Sequence, residues 1–305
     1  TDWLRREQRL ERLGRYLDYW LTEMDTGCVG LSDWMSAPHT GMDNQHERAG
    51  YWQDRVSKGV DLNCYLVREC RALAALADEL GRSEWGRPYR EAAEERARQI
   101  RAFFWSERDG FFYDLNTCAA AAWIPASDKP EPDAAEIALP ASAADGAALP
   151  VRMRQDVTAC MRAGEPPWIR VKSVAGFAPL WAGVATPRQA RRLVYEHLLN
   201  QEEFWTPFPV PALARSERWY SRVKLPQDLG CSWRANAWIP TNYMLIHGLR
   251  QYGYGEIARL LSLRTRNLLE KSGNCEYYDS ESGEGRGLDP FWGWSLLGHF
   301  LEYEQ

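Results

Sequence analysis

The sequence predicts an all-α protein, a toroid of helical hairpins with functional loops. Three observations carry this. Apolar residues recur at helical spacing through most of the chain, strand-like alternation is confined to two short stretches, and Trp, Pro and Gly gather in the connections.

The elements follow in order. Leu10, Leu13, Leu17, Trp20, Leu21 and Met24 keep a 3.6 period, and Gly27 ends that helix. Leu62, Leu66, Leu73, Leu76, Ala77 and Leu80 form a second stripe, closed by Gly81. A third helix is expected from about Arg87 to Trp105. Thr186 before Pro187 is an N-cap and first-turn signal for a helix reaching Asn200. Further helices are expected over about Trp238–Tyr252, Gly255–Lys271 and Pro290–Glu304. "DGFFYDLN" (109–116) and "GNCEYYD" (273–279) read as short hairpin arms. Residues 125–167, rich in Ala, Pro and Asp and poor in aromatics, read as a flexible or lid-like excursion from a single domain spanning 1–305.

Composition narrows the function. A hydrophobic fraction of 45% with 26% charged residues is that of an ordinary globular chain. A net charge of -5 leaves no basic footprint for nucleic acid. No apolar run reaches the roughly 20 residues that cross a bilayer, and the charged helical opening is unlike a signal peptide. Cys28, Cys64, Cys70, Cys118, Cys160, Cys231 and Cys275 are odd in number and form no CxxC pair, so they read as buried thiols in the cytoplasm. The five histidines show no metal-ligand spacing, and the acidic "DSESGEG" (279–285) lacks the alternating order of a calcium loop. GxSxG, Walker A and GxGxxG motifs are absent, so no cofactor is called for. Fifteen Trp, many of them in loops, suit a small-molecule ligand with flat CH faces, and sugars are the commonest of these.

Two acids stand in such loops, Asp43 behind "HTGM" and Glu276 in "SGNCEYYDSESGEG". A glycosidic bond needs one carboxyl to protonate the leaving oxygen and a second to activate water or attack carbon. The first must keep its proton, which burial against apolar walls favours by penalising the charged form. Either residue alone reads more readily as a turn or helix-capping residue.

Taken in order, five segments resemble glycoside hydrolase family 63, a family related to the family 37 trehalases and containing bacterial mannosylglycerate and glucosylglycerate hydrolases. They are "SDWM" with "GMDN" and "VDLNCYL" (32–66), "FFWSERDGFFYD" (103–114), "GFAPLWAGVATPRQA" (176–190), "WRANAWIPTNYMLIHGLRQYG" (233–253), and "CEYYDSESGEGRG" with "FWGWS" (275–295). The resemblance implies an (α/α)6 barrel and inverting exo-hydrolysis of α-linked sugars. By motif position it implies Asp43 as general acid and Glu276 as general base. Trp34, Trp181, Trp233, Trp238 and Trp292 would stack on sugar, while Asn44, Arg48, Arg234 and Asn242 would bind its hydroxyls.

Two motifs depart from the family pattern. Gln45-His46-Glu47-Arg48 puts the arginine one position late, and Trp233-Arg234-Ala235-Asn236 stands for a WRGP turn. One helix precedes the acid loop where relatives have several, so the expected barrel lacks its N-terminal helices in this chain. Two rivals remain: a non-catalytic carbohydrate-binding scaffold derived from the barrel, and a sugar epimerase, which would want a histidine pair at the cavity. The sequence is silent on oligomeric state.

Overall fold

A computed structural model describes residue 3 and residues 9–25, 30–50, 57–116, 166–223 and 232–301. The excursion expected over 125–167 lies almost wholly outside these residues.

The expected hairpins are present. Helix α1 spans Arg9–Thr22. After strand β1 (Asp33–Trp34) come two single-turn helices, α2 (Ala37–Thr40) and α3 (His46–Ala49), then β2 (Ser57–Lys58). Helix α4 (Val60–Glu79) returns as α5 (Ser83–Gln99), which runs into a π-helical turn at Ile100–Phe104. Helix α5 starts a turn before the expected Arg87, so that the exposed Pro88 lies inside it. Gly86 lets the hairpin close: a Cβ there would stand 2.8 Å from the Ala77 Cβ and 3.2 Å from the Ala74 main chain.

Strands β3 (Trp105–Ser106), β4 (Phe111–Phe112), β5 (Asp114–Asn116) and β6 (Trp168–Ile169) follow. A 3-10 turn (Val174–Phe177) leads into α6 (Ala178–Trp181), then α7 (Pro187–Arg192), continued by a π-helical turn at Leu193–Leu198. The Thr186 hydroxyl accepts from the Gln189 N–H while the Gln189 side chain accepts from the Thr186 N–H, the capping box that the Thr-Pro signal anticipates. Strand β7 (Asn236–Ala237) precedes α8 (Ile239–Gln251), whose return helix is α9 (Gly255–Ser272). Strands β8 (Tyr277–Asp279) and β9 (Gly285–Arg286) and helix α10 (Leu297–Phe300) finish the described chain.

The helix expected over Pro290–Glu304 is replaced through residue 293 by a loop with a cis Asp289–Pro290 bond. A 3-10 turn (Trp294–Leu296) and α10 follow. The aromatic run there serves a loop that covers Glu276, so its apolar count misreads as a helix face.

Helices α4, α6 and α8 pack side by side as an inner layer, with α5 behind α4 and α9 behind α8. This is an arc of an (α/α) toroid. Its core is one continuous apolar cluster from Leu10 to Leu301, and a smaller cluster of Ala237, Ile239, Leu268, Leu269, Cys275 and Tyr278 lies under β7 and β8.

The strands share one end of the hairpins. Strands β2 and β7 enter the N-termini of α4 and α8, while β5 and β8 follow the α5 and α9 returns. They form antiparallel sheets in the orders β1-β2-β5-β6 and β7-β8-β9, stitched by bridges Ser173↔Leu213 and Pro211↔Ala237. Strands of two or three residues are too short to show alternation, which is why the two stretches expected from sequence, 109–116 and 273–279, take in only β4, β5 and β8. No helix among the described residues is long and apolar enough to cross a membrane.

Candidate active site

The acid loop begins at Gly41, which caps α2 at φ 78°. Asp43 is half-buried in a turn closed by the Gln45 N–H donating to the Met42 carbonyl at 2.9 Å. Each of the next two residues reaches across 188 or more positions to the tryptophan segment. The Trp233 N–H donates to Asn44 Oδ1 at 2.7 Å, and Gln45 Nε2 donates to the Trp233 carbonyl at 2.8 Å. Ser173 Oγ donates to Gln45 Oε1, fixing the amide's orientation. Arg234 then grips the loop from below, donating to the Asn44 carbonyl at 3.0 Å and pairing with Glu47 at 3.2 Å.

From Trp233 an aromatic stack leads to the second acid. The Trp233 and Trp238 rings lie parallel, 3.6 Å apart and 5° from coplanar. Tyr277 stacks on Trp238 at 4.7 Å, and Trp294 leans on it at 5.9 Å. Glu276 immediately precedes Tyr277 and is half-buried. Its N–H donates to the Leu288 carbonyl, its Oε2 accepts from the Leu288 N–H at 3.1 Å, and its carbonyl accepts from Trp294 Nε1. Gly287, at φ 74°, makes the seat possible, because a Cβ there would stand 2.4 Å from Glu276 Oε2. Both expected catalytic segments therefore border one aromatic wall at one end of the hairpins.

Three buried donors beside this wall have no hydrogen-bond partner among the described residues: Asn44 Nδ2, Ser232 Oγ and Trp233 Nε1. Such groups are costly unless a ligand or water oxygen completes them. Ser232 is a residue that sequence reading passes over, and nothing local marks it.

The other expected ligands are placed differently. Arg48 is 1% exposed and ion-paired to Asp61 at 2.6 Å and Asp114 at 2.5 Å, so it is a buried counter-ion and not a hydroxyl ligand. Asn242 spends its amide on the Val210 N–H, the Pro209 carbonyl and Thr265 Oγ1, bracing the 209–210 segment. Trp34 is core: it meets Trp20 edge-on and donates from Nε1 to Asp61 Oδ1 at 2.8 Å. Trp238 is covered on both faces by Trp233 and Tyr277, so it backs the wall without a free face of its own. Trp292 is 68% exposed, and Trp294, two residues on, takes the place at the stack. Trp181 meets Tyr65 edge-on and carries the Arg68 guanidinium over its ring. It lines a small apolar cleft with Met42, Tyr65, Phe177, Met244 and Leu245, and Met42 brings the acid loop to its edge.

The charges around the wall are arranged by burial. Arg222 and Arg286 both pair with Asp279, which is fully buried. Although burial works to raise Asp279, the two arginines and the N–H groups of Glu281 and Ser282 hold it below the usual carboxylate range. Two cations on one carboxylate leave a net positive spot, and Arg286 lies directly across the ladder from Tyr277. Glu217, beside the Trp219 that covers Arg234, is pushed upward by burial.

This arrangement has relatives. A Thermus thermophilus mannosylglycerate hydrolase is 38% identical over 143 residues, 44% of this chain and 29% of that protein. The Selaginella moellendorffii mannosylglycerate hydrolase MGH2 is 30% identical over 113 residues, 37% of this chain and 21% of that protein. These alignments thus span less than a third of either relative. Among solved structures, a family 63 mannosylglycerate hydrolase from Thermus thermophilus in complex with glucose superposes with a TM-score of 0.62 at 21% identity, over 98% of this chain and 71% of that one. The Saccharomyces cerevisiae neutral trehalase Nth1 gives a TM-score of 0.55 at 20% identity, over 87% and 41%. Both likenesses speak for the (α/α) toroid. A family-wide match that runs from residue 4 to residue 295 takes in the Asp43 loop, the tryptophan wall and the Glu276 strand together, and on it the chain belongs to the family of the mannosylglycerate hydrolase MGH1-like glycoside hydrolase domain.

Proposed function

We propose that this domain hydrolyses an α-glycosidic bond of a mannoside or glucoside from its non-reducing end with inversion, Asp43 protonating the leaving oxygen and Glu276 taking a proton from the attacking water. The observation that carries this is the path Asp43–Asn44, Trp233, Trp238, Tyr277–Glu276, which unites two acids 233 residues apart around one wall. Glu276 suits the base: the main chain fixes Oε2, and no protein hydrogen bond among the described residues engages Oε1, leaving it for water. Met42, the residue before Asp43, lines the apolar cleft together with Trp181. Trp233 and Trp181 supply aromatic faces for the sugar, while Asn44 and Ser232 supply donors to its hydroxyls. Inversion requires carboxyls about 6.5–9.5 Å apart, with room for one water.

The substrate reading follows from the arginine pair. Arg222 and Arg286, which share Asp279 on the strand that follows Glu276, favour a leaving group that carries a carboxylate, in keeping with the mannosylglycerate named in the relatives. A disaccharide leaving group is the neutral alternative. Hydrolysis of α-mannosides and α-glucosides, with and without a glyceric acid aglycone, by wild type, Asp43→Asn and Glu276→Gln tests both points. Each variant is expected to lose on the order of 10²–10⁴-fold in kcat without losing its fold. Equal turnover by all three would remove both residues from the chemistry, and an α-anomer as the first sugar seen by proton NMR would mean retention.

A further inference from the structure

We propose that Asp61 and Asp114 are positioning residues, acting through Arg48 to hold the Asp43 turn in its reactive place. This rests on the reading of Asp43 as proton donor. Arg48 lies in the single-turn helix that directly follows that turn. Its two ion pairs run to the first turn of α4 and to strand β5, so one guanidinium joins three elements. Arg48 Nη1 also lies 3.7 Å from the sulfur of Met42, the residue before Asp43. The carboxylates are themselves fixed: Asp61 Oδ1 accepts from Trp34 Nε1 and the Leu62 N–H, and Asp114 Oδ1 accepts from the Val60 N–H at 2.7 Å. Gly59 keeps this corner closed, since a Cβ there would stand 2.3 Å from Trp34 and 2.8 Å from Asp61 Oδ1.

Stability alone does not account for the arrangement. Asp61 and Arg48 are 0% and 1% exposed, and Asp114 is 4% exposed. One cation with two carboxylates leaves a buried net negative charge, which costs more desolvation than a simple pair returns. The strain appears in Asp114, which burial and the Asp61 carboxylate push up to about 6 against the opposing pull of Arg48. Cys64 and Tyr65 on α4 face the same charges, and Lys58 on the adjacent strand is taken up by Asp33 and Asp25. What the second carboxylate adds is direction: a planar fork held on two sides cannot swing. A proton donor misplaced by about 1 Å loses on the order of a hundredfold in rate.

The test compares Asp114→Asn and Asp61→Asn with wild type and with Asp43→Asn. The asparagines keep the size and the N–H acceptor and remove the charge. The expected result is a ten- to hundredfold fall in kcat with KM within threefold, together with faster hydrogen exchange of the Arg48, Ala49 and Gly50 amides while α8 and α9 keep their protection. Unchanged kcat in both folded variants, with Asp43→Asn inactive, would overturn the positioning role alone. An active Asp43→Asn would overturn the underlying reading instead. Should neither variant fold, exchange in the wild type decides: the Arg48–Gly50 amides should open together with Asn63 and Leu115, and independent, faster opening would refute the clamp.

Discussion

Asp43 sits in a turn fastened by charged and amide side chains that are nearly all buried, whereas Glu276 sits at a strand end fastened mostly by main chain. On the acid side Asn44, Gln45, Glu47 and Arg48 are each 9% exposed or less and reach partners far away in sequence. On the base side the contacts come from Leu288 and Trp294, within 18 residues, and the loop leaves Leu288 63% exposed. Buried ionic fastening ties the acid's placement to the stability of the whole fold. A local, main-chain seat can be disturbed with little global cost. The Asp43 side should therefore be the brittle half of the candidate site, and the Glu276 side the adjustable one.

The sharpest way to break this contrast is Arg234→Met. It removes the Arg234 cation from a buried ion pair with Glu47 in which both side chains are 3% exposed. Chemical denaturation should show a loss of about 3–5 kcal/mol. A loss below about 1 kcal/mol would mean that the acid loop is not held ionically and would erase the distinction. On the base side the matching change is Gly287→Ala. A left-handed φ of 74° and a Cβ 2.4 Å from Glu276 Oε2 force the carboxylate to move. The expected cost is about 1–3 kcal/mol in stability, with a fall in kcat of tenfold or more. Activity should thus drop out of proportion to stability, the reverse of Arg234→Met.

The two regions also differed in how far they could be read from sequence. Helices α4, α5, α8 and α9 are long enough to repeat their apolar stripe several times, and Gly81 closes the α4–α5 turn at φ 73° as its position implies. Helices α2, α3 and α6 have four residues each, less than the period needs. Asp43 and Glu276 were legible only through ordered motifs, because a turn acid carries no local mark of chemistry. Their fastening was not legible. Asp61 reads as an acid in a helix's first turn, which the helix dipole favours anywhere, and its burial beside Arg48 emerges only when residues 48, 61 and 114 converge. Asn242 and Trp34 fit a sugar site by type, yet packing claims them for the 209–210 segment and for the core. Trp292 and Trp294 differ by two positions and share a residue type, and only the loop path decides which one turns inward.

That last pair gives the smallest and most discriminating prediction. Trp292 is 68% exposed, so Trp292→Ala should shift stability by less than about 0.5 kcal/mol and leave kcat and KM within twofold. Trp294→Ala removes the indole N–H that donates to the Glu276 carbonyl at 3.0 Å, together with ring contacts to Trp238 and Phe291 at 5.9 and 4.7 Å. It should lower kcat several-fold at nearly constant KM if, as proposed, Glu276 is the base, since it disturbs Glu276 and spares Trp233. If Trp292→Ala instead raises KM while Trp294→Ala leaves kcat unchanged, the exposed indole is the one that meets substrate. The loop after Gly287 would then be part of the binding surface and not merely the seat of the base.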